Sequence, residues 1–409
     1  MGFLKFPNFF KFTPSNAFYR IYYLSGGIMS RNIYLDNAAT TRMYPQVINL
    51  IEPYMLSEYG NASAAYELGT RAKDTIENAR AEIAKCIKAK PNEIYYTSGG
   101  SESDNWAIKC IAGEYKHKGK HIITSCIEHH AVLNSCEYLN ELGYDITYIP
   151  VDEKGHVSAK DIEKQISDET TLISVMYANN EIGTIMDIDQ IGNLSRKYKI
   201  AFHTDAVQAV GQIPIDLSQM PIDLLSASAH KFHGPKGVGF LYVREGIKIP
   251  SFIHGGGQEL GKRAGTENVA GIMGMALALK ISTDTMLVEK RRITKLRDYM
   301  IGRIKNEIPE VIYNGDETNR LPGNINISIK GIDATTLLIL LDEEGICASA
   351  GSACSTGQQN VSHVIQAIRV PAEYSTGTLR FSIGSDNNMW EINHAVDALV
   401  RNVKLLREI

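Results

Sequence analysis

Helical patterns alternate with short apolar runs from about residue 44 to 290, and that alternation most narrows the folds open to this chain. Thr70–Ile87 places apolar side chains at 72, 76, 79, 83, 84 and 87, the spacing of an amphipathic helix. Strand-length apolar runs follow at 94–97, 121–124, 145–149, 171–176, 200–204, 222–227 and 238–243. Helical stretches near 102–117, 130–142, 158–166 and 188–198 lie between them. The pattern predicts an α/β fold, a largely parallel sheet with helices on both faces. Ligands of such sheets bind at the carboxyl ends of the strands. A long helical segment near 269–306 breaks the rhythm. The tail then reads strand (325–329), helix (333–344), strand (346–349), helix (361–368), strand (378–383), helix (388–407). We therefore expect a large domain over 44–288 and a smaller α+β domain built from 31–43 and 289–409, although the strand-like run Asn32–Leu35 fits either.

Composition excludes some functions. A net charge of -4 offers no basic surface for nucleic acid or an anionic membrane. No apolar run approaches the length of a transmembrane span. Six cysteines lack a CxxC pair or a framework spacing, so they read as reduced thiols of an intracellular protein. Residues 1–30 form an extension rich in aromatic residues and free of acids. Met29 is an equally good start. The expected location is the cytoplasm, or an organellar matrix if 1–30 is a transit peptide.

Several strand ends carry chemistry. Tyr95-Tyr-Thr-Ser-Gly-Gly-Ser-Glu-Ser-Asp104 runs from strand to helix through two glycines. The N–H groups of Gly100 and Ser101 suit a phosphate, or belong to a plain Ser-capped helix. His129, after the strand 121–124, suits stacking on a flat ring or moving a proton, or is a solvated loop residue. Met176-Tyr-Ala-Asn-Asn-Glu-Ile-Gly183 supplies amides that suit a ligand oxygen or a turn. Asp205 ends an apolar strand, where a carboxylate needs a salt-bridge partner or a protonated ring nitrogen. Lys231 follows the run 222–227 among small residues, where desolvation favours Schiff-base chemistry, or it simply reaches solvent from a turn. Phosphate cradle, ring-stacking His, amides, buried acid and lysine together form the set that pyridoxal phosphate requires.

The chain resembles the NifS/IscS-type cysteine desulfurases, a branch of the fold type I pyridoxal-phosphate enzymes, from about Ile33 to the C-terminus. The carriers are Tyr34-Leu-Asp-Asn-Ala-Ala-Thr-Thr41, Thr97-Ser-Gly-Gly-Ser-Glu-Ser103, Glu128-His-His-Ala-Val132, Asn179-Asn-Glu-Ile-Gly183 and His203-Thr-Asp-Ala-Val-Gln208. Ser228-Ala-His-Lys231, Gly265-Thr266, Ser349-Ala-Gly-Ser-Ala-Cys354 and Leu379-Arg-Phe-Ser-Ile-Gly384 complete the set. The resemblance implies that Lys231 carries the cofactor and that Asp205 pairs with its ring nitrogen. It gives Gln208 and Asn180 the ring hydroxyl and His129 the ring face. Gly100, Ser101, Ser228 and His230 hold the phosphate, with Thr266 contributed by the neighbouring subunit of a homodimer. Arg380 clamps the substrate carboxylate, near Asn61.

By the same resemblance Cys354 is the nucleophile and Cys347 structural. The implied reaction starts from L-cysteine. Lys231 removes its α-proton, Cys354 attacks its sulfur, and L-alanine leaves while a persulfide stays on Cys354. The persulfide then passes to an acceptor protein, an iron–sulfur scaffold or a tRNA-thiolation protein. No metal ligand is expected. Tyr59-Gly-Asn-Ala-Ser-Ala-Ala-Tyr66 departs from the relatives' Gly-Asn-Pro-Ser-Ser-x-His, with Ala62, Ala64 and Tyr66 as the changes. The competing readings are a selenocysteine lyase or aminotransferase on the same fold, and a non-catalytic assembly scaffold. A scaffold has no use for Lys231, Asp205, Cys354 and Arg380 together.

Overall fold

The computed structural model describes residues 32–350 and 361–408; the 1–30 extension and Cys354 lie outside them. Ile33–Ile409 forms one compact unit. In chain order it begins with β1 (Ile33–Tyr34), α1 (Pro45–Leu56), α2 (Glu67–Cys86), β2 (Ile94–Thr97), α3 (Gly100–Tyr115) and β3 (His121–Ser125). Next come α4 (His130–Glu141), β4 (Asp145–Ile149), α5 (Ala159–Gln165), β5 (Thr170–Ser174), α6 (Ile188–Tyr198), β6 (Ala201–Asp205), β7 (Leu224–Ser228) and β8 (Gly239–Val243). The tail holds α7 (Val269–Glu307), β9 (Val311–Tyr313), β10 (Asn324–Ile329), α8 (Ala334–Glu343) and β11 (Ile346–Cys347). It ends with α9 (His363–Ala367), α10 (Ala372–Ser375), β12 (Thr378–Ser382) and α11 (Met389–Glu408).

The main sheet has the order β2-β8-β7-β6-β5-β3-β4. It is parallel except for β8, which runs antiparallel to both neighbours. A parallel neighbour needs a long crossover, whereas only Ala229 to Val238 separate β7 from β8, so the chain must double back. That short return carries Lys231. Both faces of the sheet are covered, and alternate residues feed different cores. Ile122, Leu172, Leu224 and Leu241 pack against α3 and α4. Ile123, Ile173, Leu225 and Phe240 point to the opposite core. This is why the strands read as continuous apolar runs rather than alternating ones.

A separate core gathers Leu379 and Phe381 of β12, Ile325 and Ile327 of β10, Leu399 of α11 and Leu337 of α8. The strand-like run at 32–35 joins this group: Ile33 pairs with Ile346 in parallel register, and Ile33 and Leu35 are buried there. Helix α7 spans 39 residues and links the two regions. Ile272, Met275 and Leu279 sit in the main core, Leu296, Met300 and Ile304 in the other. By length and composition α7 could cross a membrane. The six apolar residues just named are instead buried in these two cores, while Leu287 and Val288 between them are exposed.

Most predicted elements appear within a few residues of their expected ends. Helix α1 is not predicted as a separate element, although Val47, Leu50, Ile51 and Tyr54 stand at helical spacing, with Val47 buried and the other three half-buried. Strand β9 is three residues long and half-buried, and gives no periodic signal. Helix α3 starts at Gly100 rather than 102, because Gly99 takes φ 149° and ψ -173°, a region open to glycine alone.

Gly239 opens β8 opposite Thr97 and Ser228. A Cβ there would lie 2.4 Å from the Ala227 carbonyl oxygen and 2.7 Å from Gly99 Cα. We expect Gly239→Ala to push the Gly99 turn outward and to cost about 1–3 kcal/mol, read as a lowered melting temperature.

Candidate active site

The main sheet directs the carboxyl ends of β2, β3, β5, β6 and β7 to one edge. Asp205 is the last residue of β6 and Ser228 the last of β7, and Lys231 closes the 3-10 turn Ala229–Lys231 that follows. Beside them α3 begins, and its first-turn N–H groups face outward with no carbonyl behind them. Gly99, Gly100, Ser101, Ser228, His230, Thr40 and Lys236 line a cleft of about 320 Å³ at this point. Its floor is tight: a Cβ on Gly100 would stand 2.6 Å from Val207 Cγ2. Arg263 donates to both oxygens of Glu102 at 2.8 and 3.1 Å, and Glu102 accepts the Ser98 N–H at 2.8 Å, which fixes the turn. Burial pushes the His230 imidazole down to about 4, helped by Lys231 and Lys236. It is therefore neutral, with Nδ1 3.1 Å from Thr40 Oγ1.

The segment after β1 crosses this edge, and its backbone does work that composition could not reveal. Lys231 Nζ donates to the carbonyls of Ala38 and Ala39 at 2.6 and 2.7 Å. Gln208 Nε2 donates to the Ala38 carbonyl at 3.0 Å. Asp36, assigned no role from sequence, accepts from Arg380 at 2.8 Å. Arg380 also donates to the Asn180 carbonyl at 3.0 Å, and its backbone bridges to Ser349.

Under Lys231 lies a dry polar pocket. Asp205 is buried and accepts the Val207 N–H at 2.9 Å. Burial raises its pKa, while His129, Lys231 and the Val207 bond oppose that rise. His129 caps α4, its Nδ1 accepting the Ala131 N–H at 3.1 Å. Burial holds the His129 pKa below its usual value despite Asp205, so the ring is a neutral imidazole. Its neighbour Glu128 is fully buried and accepts from Ser125 and from the Met176 N–H. Burial pushes Glu128 up to about 8, making it a neutral acid at physiological pH. Neither Glu128 nor the buried pair Asp104 and His203 was singled out from sequence as functional. For His203 a signal existed: two residues before Asp205 on one strand, it must share Asp205's face.

Other expected site residues are placed as follows. Asn180 is half-buried beside the Arg380 contact, while its neighbour Asn179 is spent on structure, its Oδ1 accepting two backbone N–H groups. Thr266 is exposed and does not line the cleft. Asn61 is exposed, its Oδ1 accepting the Ser63 N–H at 2.9 Å in a local turn. Cys86, Cys110, Cys126, Cys136 and Cys347 are free thiols whose pKa values burial raises. None is poised as a thiolate nucleophile.

The profile of the aminotransferase class-V family matches residues 33–394. The chain belongs to this family. Similar members include a protein named cysteine desulfurase IscS from Dictyoglomus turgidum, 49% identical over 93% of this chain and 97% of its own length. One of the same name from Methanosarcina thermophila is 47% identical over 93% and 94%. Among solved structures, a NifS-like protein superposes with a TM-score of 0.87 at 35% identity, covering 91% of this chain and all (100%) of its own. A NifS-like protein from Rickettsia africae gives 0.82 at 32% identity over 92% and 100%. Family and fold type I architecture agree, and class-V enzymes use pyridoxal 5'-phosphate.

The residues fit that cofactor. A turn of open backbone N–H groups suits its phosphate, and a buried carboxylate backed by one amide suits a protonated ring nitrogen. Lys231 follows Ser228 and His230 of the cleft, and its charge acts on Asp205.

Asp36 and Arg380 form a pair whose side chains are 17% and 3% exposed. We expect Asp36→Ala to strand a buried guanidinium and cost about 2–4 kcal/mol in unfolding experiments. Adding Arg380→Met to that variant should lose less than the sum of the two single changes.

Proposed function

We propose that this protein is a pyridoxal-phosphate-dependent cysteine desulfurase that takes sulfur from L-cysteine, releases L-alanine and holds the sulfur as a persulfide on Cys354. The observation that carries this reading is the meeting of Lys231, Asp205 and His129 at one sheet edge beside an anion cleft. It is supported by the high identity to proteins named cysteine desulfurase.

Pyridoxal phosphate, when bound, supplies an aldehyde for an amino acid's amine and a ring that accepts the electron pair left by its α-proton. Gly100, Ser101, Ser228 and His230 would hold the phosphate. Asp205 would keep the ring nitrogen protonated, neutral His129 would lie against the ring, and Gln208 and Asn180 would serve its hydroxyl. Lys231 Nζ takes the substrate α-proton, and the two carbonyls around it keep the amine aimed inward. Arg380 holds the substrate carboxylate with the planar fork that suits it. Cys354 Sγ, as thiolate, then attacks the substrate sulfur. The carbon–sulfur bond breaks and a sulfur–sulfur bond forms. L-Cysteine plus one thiol becomes L-alanine plus one persulfide, with no outside oxidant or reductant.

Thr266 lies outside its own chain's cleft, which supports a homodimer in which each Thr266 serves the partner's phosphate. The persulfide would go to an acceptor protein of the iron–sulfur scaffold or tRNA-thiolation kind. The free thiols suit a reducing compartment, the cytoplasm in our reading.

Lys231→Ala should abolish the visible absorption of the purified protein; a retained band would refute the lysine assignment. Cys354→Ser should keep that band, and change it on adding cysteine, yet form no persulfide. Normal sulfide release by this variant would remove Cys354 from the mechanism.

A further inference from the structure

The face of the sheet toward α3 turns from apolar to polar as it approaches the active edge. Leu172, Ala201 and Leu224 lie in the α3 core, and two residues further along the same strands stand Ser174, His203 and Ser226, all buried. His203 is pinned between two hydroxyls, with Nδ1 2.8 Å from Ser174 Oγ and Nε2 3.0 Å from Ser226 Oγ. Burial drives its pKa down to about 3, so it is a neutral imidazole offering one donor and one acceptor. Against it, from α3, comes Asp104. This residue is 1% exposed, and its Oδ1 has no hydrogen-bond partner and lies 3.6 Å from His203 Nε2. The nearby Ser226 hydroxyl opposes, without overcoming, the rise in the Asp104 pKa that burial drives. A ligating oxygen of Asp104, one of Asp205 and a ring nitrogen of His129 all fall within 4.8 Å of one another.

Two buried carboxyls this close cannot both ionise. The donors decide which one does. Asp205 has the Val207 N–H and the field of Lys231. Asp104 faces neutral His203, the Ser226 hydroxyl and two more carboxyls, Asp205 and Glu128. We propose that Asp104 is a positioning residue held as a neutral acid beneath Asp205, so that Asp205 alone carries the negative charge presented to the cofactor's ring nitrogen. Both carboxyls charged would place two negative groups under the nitrogen and overstabilise its proton. With the proton on Asp104, the hydroxyls and His203 fix its orientation and the charge is single. The direction agrees with burial, which pushes the Asp104 carboxyl well up, and with the charge on Asp205, which pushes it further. The inference rests on the pyridoxal-phosphate reading above.

The test compares wild type with Asp104→Asn, a neutral isostere, both as full chains loaded with pyridoxal phosphate. The wild-type visible band reports the cofactor reading separately. If Asp104 is neutral, the pH midpoint of that band stays within about 0.3 unit in the variant; a shift of about one unit or more overturns the proposal. Thermal unfolding gives an independent readout. A carboxyl whose folded pKa is raised costs stability as pH rises above its unfolded value, a cost the Asn lacks. The melting temperature of the variant relative to wild type should therefore climb by about 3–5 °C between about pH 5 and about pH 8. A difference that stays flat over this range means an ionised Asp104 and overturns the proposal. Should the variant not fold, infrared spectra of wild type with isotope-labelled aspartate decide. A protonated-aspartate band surviving at about pH 8 supports the assignment, and its absence removes it.

Discussion

A sheet covered on both faces has few places to put polar groups, and in this protein the edge where parallel strands end takes them. Ile122 and Ile123, or Leu224 and Leu225, show how completely the two faces are committed to separate cores. Whatever charge the site uses must sit at that edge with its own neutralising partners already built in. Asp205 has an amide and a lysine, Arg380 has Asp36, and Glu128 and Asp104 resolve the difficulty by keeping their protons. The edge is thus a set of charges matched in advance, rather than a cleft to which charges were added.

Matching in advance needs parts from distant sequence to be held still. The antiparallel return from β7 to β8 is the shortest connection across the active edge, and it puts Lys231 three residues beyond a buried strand. The segment after β1 then supplies the carbonyls that aim its amine. That segment is anchored in the other core through Ile33 and Leu35, so the lysine is positioned by residues that pack some distance from it. Helix α7 belongs to both cores, and a shift of one would be felt by the other. The Arg380–Asp36 pair and the Ser349 bridge tie β12 to the same frame.

Much of this was legible in the sequence. The strands and helices of the main sheet follow from period and length, and Asp205, His129, Gly100 and Lys231 stood out because each is a costly or special residue at a strand end. What could not be read falls into two kinds. Backbone carbonyls have no residue code, so nothing in Ala38-Ala39 announces that these groups hold Lys231 and Gln208. Buried polar residues that satisfy one another also leave no pattern. Asp104 looks like an ordinary acid in the first turn of a helix, where negative charge is favoured. Only the packing of α3 against β6 and β7 shows that it is dry and faces another carboxyl. Thr266 and Asn61 are the reverse case. Family motifs assign them, yet a single chain leaves Thr266 exposed and outside the cleft and uses Asn61 in a local turn.

The contrast between the thiols and the acids completes the chemical logic. Burial raises the pKa of every cysteine among the described residues, which makes each an inert packing group. The same burial acts on Glu128 and Asp104 and makes them proton holders. A desulfurase needs a thiolate and a singly charged partner for its ring nitrogen, and these demands pull in opposite directions. The anion under the ring must be fixed and dry, whereas the sulfur nucleophile must be ionised, which a buried site opposes. In the proposed reaction the first task falls to a packed strand end and the second to Cys354, in the small and polar stretch from Ser349 to Gln359. Lys231 and Cys354 likewise stand far apart in the sequence, and neither alone defines the reaction.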